Sequence, residues 1–220
     1  MTILIDVDNT LLDFDKCANE SISLSCKEFG IDKANELCSI FHPFNLSLWQ
    51  QLERGELTMD ELLEKRFNTL FEKLGIQADG IAFEKSFHTG LANSAVPVDG
   101  AKELLKYLSE KYDVYVASNA PLTQQTTRLK KAGFDKYING YFVSAEIGHL
   151  KPNKEFFDAC FEKLGKSPRD TVMIGDSLTA DINGARTYGM KTIWFDKYKS
   201  KKTADCDYTV TSLLQIKDIL

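Results

Sequence analysis

Ile3-Leu4-Ile5-Asp6-Val7-Asp8-Asn9-Thr10-Leu11-Leu12 is the stretch from which the rest of the chain can be read. A short apolar run with no turn residue inside it reads as a strand buried on both faces, as in a parallel sheet. The run ends on two acids separated by one valine. Side chains alternate along a strand, so Asp6 and Asp8 are expected to leave on the same side. Asn9 and Thr10 then supply turn chemistry where the chain leaves the sheet. Open α/β sheets bind ligands beyond the carboxyl ends of their strands, which is where both carboxylates fall. Like charges this close resist joint ionisation, so one needs a cation and the other readily keeps a proton. With a metal present, that pair is a nucleophile and a general acid. Taken alone, two such acids more often cap a turn, and the remaining sequence has to decide.

The 220 residues suit one large α/β domain or a core with a smaller insert. With 43% apolar and 27% charged residues, there is enough apolar material for a sizeable core. A net charge of -5 argues against a surface that coats a nucleic-acid polymer. It leaves room for a small phosphorylated substrate, whose charge can be met locally. Cys17, Cys26, Cys38, Cys160 and Cys206 are odd in number and form no CxxC pair. They read as reduced, packed thiols, not as disulfides or a zinc site. No basic-then-apolar leader precedes Ile3 and no apolar run approaches membrane-spanning length. The expectation is a cytoplasmic protein with no membrane partner.

After Thr10 the apolar period changes from strand to helix. Ala18, Ile22, Cys26 and Phe29 predict a helix closed by Gly30. Phe44, Leu48, Trp49 and Leu52 predict a second over about 44–52. Thr58 and Glu61 make a capping box for a third, stopped by Gly75. Phe83, Phe87 and Leu91 mark a fourth. Residues 15–92 thus read as a separate small helical bundle. From Pro97 the rhythm is helix, strand, helix, strand. Strands are expected at Val114–Ala117, Gly140–Val143, Thr171–Ile174 and Thr192–Phe195, with a helix over about Leu122–Ala132. Strands alternating with helices of this length are βαβ units of a parallel sheet, and the first strand belongs to it. The core is therefore 1–14 with 93–220, and 15–92 is an insertion, joined near Leu12–Asp15 and Asn93–Pro97 and expected to move as a unit. The run from Lys197 to Lys202 reads as a solvated loop.

In this reading the strands end on polar groups. The first delivers Asp6 and Asp8, the second Ser118, and the fourth Asp176 with Asp181 five residues on; Lys151 stands before Pro152 at a helix entrance. Four acids without a cation repel strongly, whereas with Mg²⁺ they make a hard-oxygen site. A lysine and a hydroxyl then remain for the oxygens of a phosphoryl group. Each signal alone is weak, but in this order at strand ends the catalytic reading prevails.

This combination resembles the haloacid dehalogenase superfamily of phosphatases, with all four of its motifs along essentially the whole chain. Asp6-Val7-Asp8-Asn9-Thr10 matches the first motif, Ser118 the second, Lys151 with Pro152 the third, and Gly175-Asp176 through Asp181 the fourth. The resemblance implies an α/β, Rossmann-like core with a parallel sheet and an all-helical cap inserted after its first strand (a C1-type cap). Asp13-Phe14-Asp15, Leu48-Trp49 and Gly55-Glu56-Leu57-Thr58 are similar to the pyrimidine 5'-nucleotidase branch. The implied chemistry is a Mg²⁺-dependent, two-step phosphomonoester hydrolysis. Asp6 is the nucleophile and forms an aspartyl phosphate; Asp8 is the general acid, then the base. Mg²⁺ is expected on Asp6, the main-chain carbonyl of Asp8 and Asp176. Ser118, Asn119 and Lys151 would hold the phosphate, and Asp181 and Thr10 would support.

For a base, Phe14, Phe44 and Trp49 are the candidate stacking surfaces, with Asn45 and Arg54 as polar readers. His42, His88 and His149 share no ligand spacing and are assigned no role. Trp194 and Phe156 read as core. A haloalkanoate dehalogenase needs no acid at Asp8, and a receiver-like signalling domain needs neither that acid nor the insert. Phosphatases of sugar phosphates or phosphoglycolate, and a phosphoglucomutase, remain as alternatives on the same fold.

Overall fold

The structure is a computed structural model that describes residues 1–200 and 202–220. By their contacts these residues divide into two compact units, Met1–Asp13 with Val96–Leu220, and Phe14–Ala95. The boundaries read from the sequence lie one and three residues from these. Among the described residues, no helix is long and apolar enough to cross a membrane.

The first unit is built on strands β1 (Thr2–Ile5), β2 (Asp113–Ser118), β3 (Gly140–Val143), β4 (Thr171–Gly175), β5 (Lys191–Phe195) and β6 (Tyr208–Val210). All neighbours pair in parallel, in the order β3-β2-β1-β4-β5-β6. β1 is central, and its alternation explains why the run Ile3-Leu4-Ile5 has no polar member. Ile3 and Ile5 enter one apolar cluster with Val114, Val116, Val172, Ile174, Leu104 and Leu108. Leu4 enters the other, with Ala117, Met173, Phe156, Phe157 and Cys160. A strand covered on both faces has no solvent side to mark with polar residues.

Helices α5 (Ala101–Ser109), α6 (Leu122–Lys131), α7 (Ser144–Ile147), α8 (Lys154–Leu164) and α9 (Gly184–Thr187) belong to this unit, with a π-helical turn at Leu178–Asn183. The sequence reading had no place for β6, whose three residues carry one buried side chain, Val210. So short a strand has too little pattern to show. The basic run after β5 needs a correction. Lys197 is half-buried and its ammonium donates to Asn9 Oδ1 at 2.5 Å and Asp13 Oδ1 at 2.9 Å. Tyr198–Ser200 and Lys202 are exposed, as a solvated loop requires, and Lys201 lies outside the described residues.

The second unit is four helices, α1 (Phe14–Phe29), α2 (Ala34–Glu53), α3 (Met59–Leu74) and α4 (Gly80–Asn93). Thr58 and Glu61 form the expected capping box, and Gly75 closes α3 at φ 63°. α2 starts ten residues before the expected Phe44, because it runs through Pro43. A proline normally opens or breaks a helix, so Pro43 masks the turns that precede it. Phe41, Phe67, Phe83 and Phe87 interleave as the apolar centre.

Candidate active site

The site is assembled at the carboxyl ends of β1, β2 and β4. The Asp6 N–H still donates to the Ile174 carbonyl at 2.9 Å, so the sheet holds the first acid in place. Beyond it the chain turns. The Val7 carbonyl accepts from the N–H groups of Leu11 and Leu12, both at 2.8 Å, and Asn9 sits at φ 62°. Asparagine tolerates that left-handed conformation better than most residues. The strand ends at Ile5, so strict alternation does not govern Asp8, and the expectation of a shared side needs refinement. Asp6 is buried and faces Lys151, whereas Asp8 is partly exposed and faces α6.

Lys151 is almost fully buried and spends all three ammonium donors here. They go to Asp6 Oδ1 at 2.9 Å, Asp181 Oδ1 at 2.6 Å and the Ala117 carbonyl at 2.6 Å. The backbone around it is clamped by Asn119, whose Nδ2 donates to the Lys151 carbonyl at 3.0 Å. Asn119 Oδ1 accepts from the Lys151 N–H at 2.8 Å. Asp181 is fixed from its other side by the Ser177 N–H, which donates to Oδ2 at 3.1 Å. A Cβ at residue 175 would come within 2.1 Å of that Oδ2, so only glycine fits there. Thr10 Oγ1 donates to Asp176 Oδ1 at 3.4 Å, and the Trp194 indole donates to the Asp176 carbonyl at 2.9 Å. Ser118 Oγ accepts from the Ala120 N–H at 3.1 Å and from Gln125 Nε2 at 2.9 Å.

Two partners were missed by the sequence reading. Gln125 Nε2 donates to Asp8 Oδ2 at 2.7 Å, and Arg128 Nη1 donates to Asp8 Oδ1 at 2.6 Å. Their only sequence signal is that they share a face with Leu129 on an otherwise polar helix.

The electrostatics are those of an acidic excess. Oxygens of Asp6, Asp176 and Asp181 lie within 4.8 Å of one another. The buried Lys151 ammonium pairs with Asp6 and Asp181, and Asp176 feels it and the Lys197 ammonium through space. Burial pushes Asp6 up to about 7 against the pull of Lys151, with Asp181 and Asp8 adding to the rise. Asp176 is raised well above the usual carboxylate range, by burial first and then by Asp6 and Asp181. Burial works against the charge of Lys151, yet Asp181 and Asp6 outweigh it and hold its ammonium above the ordinary lysine value. A group of buried carboxylates short of positive charge and offering only oxygen donors fits a hard divalent cation. The Asp8 carboxylate is not one of the three, its oxygens being engaged by Gln125 and Arg128 of α6.

The remaining candidates lie in the helical unit. Phe14 opens α1 and stacks on Phe41 at 6.5 Å, Lys73 Nζ lies 4.7 Å from the Phe44 ring, and all three of Phe14, Phe44 and Trp49 are partly exposed. Asn45 is buried and its Oδ1 accepts from Arg66 at 2.8 Å, so it is a packing residue and not a polar reader. Arg54 is engaged by Glu56. Trp194 and Phe156 are core, as expected.

Residues 1–189 match the haloacid dehalogenase-like hydrolase family. The chain belongs to that family. It is 34% identical over 196 residues to the HAD-hydrolase YfnB of Bacillus subtilis, covering 89% of this chain and 83% of that one. The crystal structure of YfnB bound to magnesium superimposes with a TM-score of 0.93 at 32% identity, over 100% of this chain and 97% of the other. The pyrimidine 5'-nucleotidase PynA of Streptococcus pneumoniae is 34% identical over 222 residues, covering 99% of this chain and 94% of that one. This haloacid dehalogenase-like hydrolase is a phosphatase with the family's α/β core.

Proposed function

We propose that this phosphatase hydrolyses nucleoside 5'-monophosphates, pyrimidine nucleotides best, with Mg²⁺ as its metal. The likeness to PynA along nearly the full length of both chains carries the substrate. In this reading the sheet unit is catalytic, the helical unit is its cap, and the setting is cytoplasmic, which suits five free cysteines.

Asp6 attacks phosphorus in line: its Oδ–P bond forms as the bond to the 5'-oxygen breaks. Asp8 gives a proton to that departing oxygen. It then takes one from the water that cleaves the aspartyl phosphate. Ser118 Oγ, the Asn119 N–H and the Lys151 ammonium hold the phosphoryl oxygens. An ammonium has three donors, so a phosphoryl oxygen must replace one existing partner of Lys151, and Asp6 is the partner that leaves as it attacks. Asp6, Asp176 and the Asp8 carbonyl would hold Mg²⁺, with Asp181 and Thr10 supporting. When bound, the ion offsets the repulsion between these carboxylates and a phosphate dianion.

Reaction chemistry at the phosphoryl group cannot select a base; that choice is assigned to Phe14, Phe44 and Trp49. The test compares specificity constants for uridine, thymidine and adenosine monophosphates, glucose 6-phosphate and phosphoglycolate, repeated with Trp49→Ala. A stacked base is worth about 1–3 kcal/mol, so Trp49→Ala should cost roughly 5- to 150-fold on nucleotides and little on the other two. If either of those two wins by about tenfold, the nucleotidase reading fails while the phosphatase assignment stands.

A further inference from the structure

Gln125 and Arg128 are fully buried on α6, a helix whose other polar side chains are exposed or partly exposed. A guanidinium taken out of water costs several kcal/mol unless it is paired. Its carboxylate here is Asp8, an acid 120 positions earlier whose own side chain is 26% exposed. Arg128 Nη1 meets Asp8 Oδ1 at 2.6 Å and also reaches Gln125 Oε1 at 3.3 Å. Gln125 Nε2 meets Asp8 Oδ2 at 2.7 Å and Ser118 Oγ at 2.9 Å. Both oxygens of Asp8 are therefore held. The same carboxamide that holds one of them also holds the hydroxyl at the end of β2.

We propose that Gln125 and Arg128 are positioning residues, which keep the Asp8 carboxyl in register with the Ser118 hydroxyl. The proton donor and the phosphoryl cradle then meet the same ester bond. The inference rests on the reading of Asp8 as general acid. In the step concerned, the bond from phosphorus to the ester oxygen breaks, that from phosphorus to Asp6 forms, and the proton passes from Asp8 to the ester oxygen. Gln125 and Arg128 act through Asp8 and not on the phosphorus or the ester oxygen. A merely structural pair would slow all substrates alike. In kcat/KM, which reports the first transfer and not the later hydrolysis of the aspartyl phosphate, a positioning pair would slow only those whose leaving group needs the proton.

The experiment uses the intact protein with Mg²⁺ and two substrates. One is the alkyl phosphate it hydrolyses best, and the other is p-nitrophenyl phosphate, whose phenolate leaves without help. The variants are Gln125→Met, which removes the bonds without changing charge, and Arg128→Lys, which keeps the charge and loses the planar fork. Misplacing a catalytic group by about 1 Å can cost on the order of 100-fold. Each variant should accordingly lose roughly 10- to 100-fold in kcat/KM on the alkyl phosphate and less than about threefold on the aryl phosphate. Equal losses on both substrates would overturn the proposal, as would a change confined to KM, which would place Gln125 in phosphate binding through Ser118. Failure of either variant to fold, read from thermal unfolding, would assign the pair to the core and equally overturn it. Asp8→Asn is the control on the underlying reading. If it too treats both substrates alike, Asp8 is no general acid; if it discriminates while the α6 variants do not, only the positioning role fails.

Discussion

Asp6 and Asp8 stand two residues apart and answer to different neighbours. Asp6 is buried against Lys151, and Asp8 is partly exposed against Arg128. That division suits two roles, since one carboxylate is oriented for attack and the other can meet solvent and the leaving oxygen. Asp6→Asn should abolish turnover, measured as phosphate release with mass spectrometry to exclude deamidation. Asp8→Asn should lower it by about 10²- to 10⁴-fold, the usual worth of a general acid. Both variants should keep the circular dichroism of the parent. An active Asp6→Asn protein would remove the nucleophile from the scheme. At this scale the acids were legible because their spacing and position after an apolar run carry chemical meaning locally. Gln125 and Arg128 were not, because nothing within four residues of either reveals that an acid in β1's turn will pair with it.

Among the elements, the helical unit shows how a buried charge is accommodated. Arg66 of α3 and Glu84 of α4 form a two-pronged pair at 3% and 6% side-chain exposure, with Asn45 of α2 accepting from the same guanidinium. Phe41, Phe67 and Phe87 lie 5.1–5.8 Å from it. Three helices thus share one cation. Arg66→Met should cost about 3–5 kcal/mol by leaving Glu84 buried with only the His88 ring, at 3.3 Å, beside it. Urea unfolding followed by circular dichroism checks this, and adding Glu84→Met should recover part of the loss. A cost below about 1 kcal/mol would mean that solvent reaches the pair. The amphipathic periods of α1, α3 and α4 were plain in the sequence, since each buries one stripe. The start of α2 was hidden by Pro43, a residue whose local preference is overruled when packing on both sides holds the helix together.

For the molecule as a whole, charge balance sets the condition for activity. Three buried or half-buried acids gather within 4.8 Å, two of them on the Lys151 ammonium, and burial raises both Asp6 and Asp176. A phosphate dianion arriving there would add to the imbalance. Phosphate release should therefore fall to background after exhaustive chelation and return when Mg²⁺ is added, with unchanged far-UV circular dichroism throughout. Full turnover in the presence of chelator would refute the assignment of the acidic group as a metal site.

The sequence by itself determined the alternation of strands and helices, the insertion between β1 and the rest of the sheet, and which residues stand at strand ends. These follow from periods of two and 3.6 and from turn residues, all of which act over a few positions. Only the tertiary structure decided the strand order, the clamp of Asn119 on Lys151 and the grip of α6 on Asp8. Those depend on contacts between groups 32 and 120 positions apart, and they form because burying a polar or charged group is tolerable only where a partner meets it.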